Sequence, residues 1–204
     1  MLETSTIHPA TVRALAPQVE ERSATLLDAP VSGSVPVVQR GQLTFMVGGP
    51  ASALDTARPV LECLAAQVYH LGATGAGATM KLAVNAVVHA LNQAIAESLV
   101  LVEKSGIDRE LAYDVLASSA VAAPFVHYKR EAFLHPESTP VAFALSLVAK
   151  DLALIDSLAT AVGARMDQLA ANRRVVLEAL SFGYAERDLS ALADLLRANC
   201  EQGS

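Results

Sequence analysis

The sequence predicts a mixed α/β half followed by an all-helical half, the two joined by one long helix. Up to about residue 75, short β-like runs alternate with amphipathic helices between Gly and Pro turns. Beyond residue 78 only helical periodicity remains. The stretch 78–104 meets no stop signal, enough for about 40 Å of helix at about 1.5 Å per residue. The organisation expected is therefore a first domain over 1–77 and a second over 78–204.

Taken in order, 9–20 reads as a helix. Residues 25–27 read as a strand entering the turn Asp28-Ala29-Pro30-Val31-Ser32-Gly33, and 43–47 as an apolar strand stopped by Gly48-Gly49-Pro50. A helix over 51–64 follows. The run 68–71 is one more strand, ending in the turn Gly72-Ala73-Thr74-Gly75-Ala76-Gly77. In the second half, Ser105-Gly106 ends the long helix and Asp108 caps the next. Further helices fit 109–117, 124–133, 149–162, 167–182 and 189–199, with Gly163 and Gly183 as C-terminal stops. Three strands, if parallel, make a poor independent sheet, because parallel sheets need cover on both faces and neighbours on both sides.

Composition narrows the function. The chain has 204 residues, 52% apolar and 18% charged, and a mean hydropathy of +0.37, so it has ample material for a core. A net charge of -6, from 15 Lys and Arg against 21 Asp and Glu, leaves no footprint for a nucleic acid. The longest apolar runs, such as 95–102, are broken well before the roughly 20 residues of a membrane span. The first sixteen residues carry acidic, His and Pro residues where a signal peptide carries a basic patch and an apolar run, so a soluble, cytoplasmic protein is expected. Cys63 and Cys200 stand apart without clustered ligands and read as ordinary thiols, with no metal site.

The long helix is the most informative segment. Over 80–96 it is apolar except for Lys81, Asn85, His89, Asn92 and Gln93. At about 100° per residue, Lys81, Asn85, His89 and Asn92 fall within an arc of about 80°. A helix apolar nearly all round is buried, so this stripe faces either a narrow slot of solvent or a polar cavity. The stripe is poor in the Glu and Arg that solvate an exposed face. Lys81 also lies just after Gly75 and Gly77, where backbone can approach a ligand closely. Burial would push the Lys81 pKa down. His89 and Asn92 share the stripe, though a hydrogen-bonded structural role is the commoner fate of such residues.

Two other segments stand out. The turn 28–33 ends a buried strand and can leave a hydroxyl and two backbone N–H groups to hold a carboxylate, although an ordinary structural turn has the same composition. Lys150 begins an otherwise apolar helix, where the dipole disfavours a cation. The chain has four lysines, and two of them occupy these unusual settings. The Gly72-x-x-Gly75-x-Gly77 turn is not a GxGxxG fingerprint: counted from Gly75, the third glycine position is Met80, and the helix runs on instead of returning to a strand. GxSxG, HExxH and Walker sequences are absent.

Thr4-Ser5-Thr6-Ile7-His8-Pro9, Asp28-Ala-Pro-Val-Ser-Gly33, Leu43-Thr-Phe-Met-Val-Gly-Gly49, Gly75-Ala-Gly-Ala-Thr-Met-Lys81-Leu-Ala-Val-Asn85 and Lys150-Asp-Leu152 follow one another in the order and spacing of a known family. Together they resemble the β-hydroxyacid dehydrogenases, the 3-hydroxyisobutyrate dehydrogenase family. The resemblance implies a partial Rossmann-type domain, a long interdomain helix and an all-helical domain that also makes a homodimer or homotetramer. It implies an NAD(P)-dependent oxidoreductase acting on a small hydroxyacid or semialdehyde, with NAD or NADP as cofactor. Lys81 is then the catalytic lysine. Ser32, Gly33 and Asn85 bind substrate, and Thr6, Lys150 and Asp151 lie along the nicotinamide half of the cofactor. Two departures accompany it. Ser34 stands where many relatives have a second glycine, narrowing the substrate turn, and the N-terminal βαβ unit with its GxGxxG has no counterpart. That second departure keeps other readings open: a non-catalytic dimerising or regulatory remnant, a small-acid-binding helical module, or an imine reductase-like enzyme, against which Lys81 argues.

Overall fold

The computed structural model describes residues 1–33 and 35–202; Ser34, expected to narrow the substrate turn, lies outside them. The chain divides into two compact units, Met1–Asn85 with Leu154–Ala164, and Ala86–Ala153 with Arg165–Ser204.

The first unit holds a five-stranded sheet of β1 (Leu2–Glu3), β2 (Leu27–Asp28), β3 (Val31–Ser32), β4 (Leu43–Gly48) and β5 (Ala65–Gly72). It is mixed, not parallel: β1 runs with β2 and β5 runs with β4, but β4 is antiparallel to both β2 and β3. The connection explains the difference from expectation. Residues 33–42, which contain α2 (Val35–Gln39), fall short of the dozen or so residues a parallel crossover needs. Half of the segment expected to be a turn, namely Asp28, Val31 and Ser32, is thus strand. β2 and β3 keep one register along β4, Asp28 opposite Gly48 and Ser32 opposite Thr44, broken only at Ala29-Pro30. Pro30 has no N–H for the ladder, but its carbonyl accepts a 3.0 Å bond from the Met46 N–H.

Side-chain alternation assigns the two faces. Leu27, Phe45 and Val47 join Leu54 and Leu61 of α3 (Ala51–Leu61) in one core. Leu26, one residue out of phase, packs with Val12 of α1 (Pro9–Glu20) and Ala78 of α4 (Ala76–Lys104) in another. Each such aliphatic side chain contributes about 1.5–3 kcal/mol when fully buried. α1 opens on His8, whose Nδ1 accepts from the Ala10 N–H at 3.1 Å.

α4 begins two residues earlier than predicted, inside the glycine turn, because a carboxylate meets it there. Asp28, 1% exposed, accepts from the N–H of Gly75 through Oδ1 and from the N–H of Ala78 through Oδ2, both at 2.8 Å. This serves two of the otherwise orphaned donors of the helix start and opposes its dipole. The contact demands glycine twice. A Cβ on Gly48 would lie 2.6 Å from Asp28 Oδ1, and one on Gly77 would strike the Met46 carbonyl oxygen and lie 2.6 Å from the Asp28 carbonyl oxygen. The close approach that Gly77 permits is therefore to the sheet, not to a ligand.

The second unit is helical: the later part of α4, α5 (Arg109–Ser118), α6 (Pro124–Leu134), the start of α7 (Leu145–Val162), α8 (Asp167–Ser181), a 3-10 turn (Leu189–Ala191) and α9 (Leu192–Gln202). Asp108 caps α5 by accepting from the Leu111 N–H at 3.0 Å, as predicted. α7 starts four residues earlier than predicted, where the Leu145 and Ser146 N–H groups reach the Arg187 and Ala185 carbonyls. Lys150 is consequently well inside the helix, and the dipole argument against it falls away.

Asp188 is the hub of this unit. Lys129 of α6 places Nζ 2.8 Å from both carboxylate oxygens, and the N–H groups of Ala142, Phe143 and Ser190 donate to the same group. Lys129 is only 4% exposed, so it is a third lysine in an unusual setting. Burial pushes the Asp188 pKa up, but the Lys129 hydrogen bonds and charge and the backbone donors outweigh it and hold the group below its ordinary value.

By length and composition α4 is long and apolar enough to cross a membrane, with an 18-residue window of mean hydropathy 1.2, contrary to the sequence expectation. Its buried residues include Asn85, His89, Asn92 and Gln93 beside Leu82, Ile95 and Leu99. Asn92 Nδ2 donates to the Leu189 carbonyl at 2.8 Å, so this face of α4 packs within the protein.

Two outcomes are expected. Asp28→Ala should lower stability to urea by about 2–4 kcal/mol, the sum of a lost cap and stranded amides, while Asp28→Asn, which keeps one acceptor, loses less. Because Asp188 is depressed on folding, its stabilisation is present above the unfolded carboxyl pKa of about 4 and lost as pH falls through the folded value. Lys129→Met should be less stable by about 3–5 kcal/mol at neutral pH. That gap should narrow on acidification, as measured by chemical denaturation across pH.

Candidate active site

In the first unit α4 carries Lys81 and Asn85 four residues apart, on one face and about 6 Å along the axis at about 1.5 Å per residue. Asn85 is 5% exposed, whereas Lys81 is half-buried, less enclosed than its apolar neighbours in sequence suggest. Asp28 sets the position of this face, since Ala78, whose N–H it accepts, is three residues before Lys81. The same strand segment continues through Ser32, half-buried at the end of β3 opposite Thr44. Gly33 follows with φ +137°, and a Cβ there would lie 2.7 Å from the Leu43 side chain and 2.8 Å from that of Val37. Only glycine fits. Thr6 is half-buried in the loop between β1 and α1, two residues before the His8 cap.

The helix start itself offers no room for a phosphate. Its Gly75 and Ala78 N–H groups, the donors that would cradle an anion, are given to Asp28. This is the physical reason why the glycine turn is not a dinucleotide fingerprint. The turn 28–33 brings a carboxylate of its own, Asp28, to the helix start, and Ser32 and Gly33 lie at its other end. The signal in the sequence was an Asp ending a strand ahead of a Gly-x-Gly helix start.

In the second unit Lys150 and Asp151 stand side by side on α7. Lys150 Nζ lies 3.1 Å from Asp151 Oδ1; the lysine side chain is 47% exposed and the aspartate side chain 1%. His89 of α4 brings Nε2 to 3.6 Å from Asp151 Oδ2. The Phe143 ring packs on the imidazole with centroids 5.8 Å apart. The two lysines singled out in the sequence are thus the partly exposed ones. The buried one, Lys129, sits in the run Tyr-Lys-Arg-Glu, which reads as a solvated face and carries no hint of Asp188 fifty-nine positions away.

Comparison with known proteins matches residues 75–196 to the family described as NAD-binding of NADP-dependent 3-hydroxyisobutyrate dehydrogenase. Residues 1–72 match the NAD binding domain of 6-phosphogluconate dehydrogenase. The chain is 31% identical to glyoxylate/succinic semialdehyde reductase 2, chloroplastic, of Arabidopsis thaliana, covering 97% of this chain and 55% of that protein. It is 34% identical to an NAD-dependent L-serine dehydrogenase of Pseudomonas aeruginosa, covering 96% of this chain and 67% of that one. Among solved structures, a 3-hydroxyisobutyrate dehydrogenase of Mycobacterium tuberculosis with L-serine superposes with a TM-score of 0.82 at 33% identity, covering 96% of this chain and 69% of that one. The chain thus spans between just over half and about two thirds of the length of these proteins.

Proposed function

The chain belongs to the 3-hydroxyisobutyrate dehydrogenase family of β-hydroxyacid dehydrogenases, and on that footing we propose that it serves NAD(P)-dependent interconversion of a small carboxylate-bearing alcohol and its aldehyde. The observation that carries this reading is Lys81, half-buried on α4, one helical turn from a buried Asn85. A bound nicotinamide supplies or accepts the hydride. In reduction the Lys81 ammonium gives a proton to the carbonyl oxygen, and in oxidation the neutral amine takes it from the hydroxyl. The Asn85 amide hydrogen-bonds the substrate oxygen and limits the poses in which the proton can move. The Ser32 hydroxyl and the Gly33 N–H are donors for the substrate carboxylate, and the positive φ that only glycine takes easily at 33 sets the direction of that N–H.

For the cofactor the donor set suits the nicotinamide half. The Thr6 hydroxyl in the first unit and, separately, the half-exposed Lys150 ammonium beside Asp151 in the second are each of the donor type that carboxamide and ribose oxygens take. The start of α4, filled by Asp28, is not part of this set. Both NAD and NADP remain within the proposal, and so do the semialdehyde and L-serine-like substrates of the relatives' names.

Self-association belongs to the same proposal. Met80, Val87 and Leu101 are exposed at 41%, 68% and 68%, and with the exposed Ala94 they repeat every seventh residue along α4. Such a seam fits a second apolar surface, and a second copy of the chain supplies one. A cytoplasmic location is proposed with it, although the names of plant and mouse relatives place those proteins in chloroplast and mitochondrion.

Lys81→Ala should lower kcat by about 10²–10⁴-fold, the usual range for a positioned acid/base, with an unchanged circular-dichroism melt. Lys81→Arg should not restore it, because a guanidinium does not give up its proton near neutral pH. A wild-type rate in Lys81→Ala overturns the assignment. Val87→Glu with Leu101→Glu should convert the oligomer to monomer in analytical ultracentrifugation.

A further inference from the structure

One turn beyond Asn85, α4 carries His89 with its side chain 3% exposed. Neither of its ring nitrogens has a hydrogen-bond partner among the described residues. A buried imidazole so placed has given up water at both nitrogens, so a mere space-filling role would favour an apolar side chain. The geometry supplies a reason for its presence. Asp151 has one oxygen 3.6 Å from His89 Nε2 and the other 3.1 Å from Lys150 Nζ, an ion pair without hydrogen-bond geometry. The carboxylate is 1% exposed and lies between a rigid buried ring and a half-exposed ammonium on a flexible stem. Phe143 packs against the ring with planes inclined by 45°, which limits its rotation. A shortening of about half an ångström would turn the 3.6 Å approach into a charge-assisted hydrogen bond.

We infer that His89 is a positioning residue, which with its proton on Nε2 holds the Asp151 carboxylate and through it orients the Lys150 ammonium. Of the two neutral tautomers the arrangement favours the Nε2–H form, because the carboxylate facing Nε2 can only accept. The ring provides the direction that the lysine stem cannot. The consequence for ligand binding rests on the proposed role of Lys150 toward the cofactor; the His89–Asp151 pairing does not.

The experiment uses the full chain with ¹⁵N-labelled histidine. In the wild type the imidazole spectrum should assign His89 as the Nε2–H form, and Asp151→Asn should shift both of its ring nitrogens. An Nδ1–H form, or nitrogen signals indifferent to Asp151→Asn, overturns the inference. NADH and NADPH titrations followed by fluorescence form the second arm. His89→Leu and Lys150→Met should weaken binding alike, by about fivefold or more, on the scale of one charge-assisted hydrogen bond. His89→Gln, whose amide still offers a donor, should recover most of it. Loss in Lys150→Met without loss in His89→Leu overturns the positioning role. Binding indifferent to Lys150→Met overturns the cofactor role of Lys150, and the pairing then stands or falls on the nitrogen spectrum.

Discussion

The meeting of the Asp28 carboxylate with the first turn of α4 is the contact on which the rest of the first unit depends. It decides where the helix begins, because the Gly75 and Ala78 N–H groups are satisfied only there. It also decides the rotation of the helix, and hence where Lys81 and Asn85 face, since an α-helix pinned at its first turn has its later residues set at about 100° steps. Gly48 and Gly77 are the steric conditions of that contact, one on the strand and one on the helix. A glycine pattern that resembles a phosphate loop in sequence therefore serves the opposite purpose: the anion it receives is built into the chain.

The second unit repeats the device with a different electrostatic balance. Asp188 gathers backbone N–H groups from residues 142, 143 and 190, as Asp28 gathers those of 75 and 78, but it does so against a lysine. Asp28 meets only the partial positive charge of a helix start; Asp188, which also caps the 3-10 turn through the Ser190 N–H, is given a full cation as well. Lys129 supplies it, and Ser190 adds its hydroxyl to Asp188 Oδ1 at 3.0 Å. Breaking either half of such a pair leaves an uncompensated buried charge. This cluster ties the connections between α6, α7 and the 3-10 turn together, beside the backbone bonds of Leu145, Ser146 and Leu189.

α4 is apolar on most of its circumference. Its few polar side chains are distributed by depth. Lys81 keeps some access to solvent, Asn85 is enclosed, and Asn92 is consumed by the Leu189 carbonyl. Partial burial suits the acid/base role proposed for Lys81, since full burial without a partner would cost it its charge and full exposure its selectivity. Lys129 shows the alternative, a lysine so completely paired that it has nothing to give.

The sequence by itself determined α1, β2, β4, α3 and β5 in outline, though not β1, β3 or α2, together with the change from mixed to helical architecture near residue 77, the helix signals at Asp108, Gly163 and Gly183, and the stripe on which Lys81 and Asn85 lie. These depend on local periodicity and on residues that stop or start a helix, and both are written within a few positions of one another. Its ordered motifs likewise carried the family. The tertiary structure decided what depends on distant partners: that β4 runs antiparallel to β2 and β3, that α4 starts at Ala76, and that Lys129 rather than Lys81 is the buried lysine. Asp28 and Gly75 are forty-seven positions apart, and Lys129 and Asp188 fifty-nine. No pattern of hydrophobic spacing encodes such pairs, because a carboxylate chooses its donors only once the chain has folded them within about 3 Å.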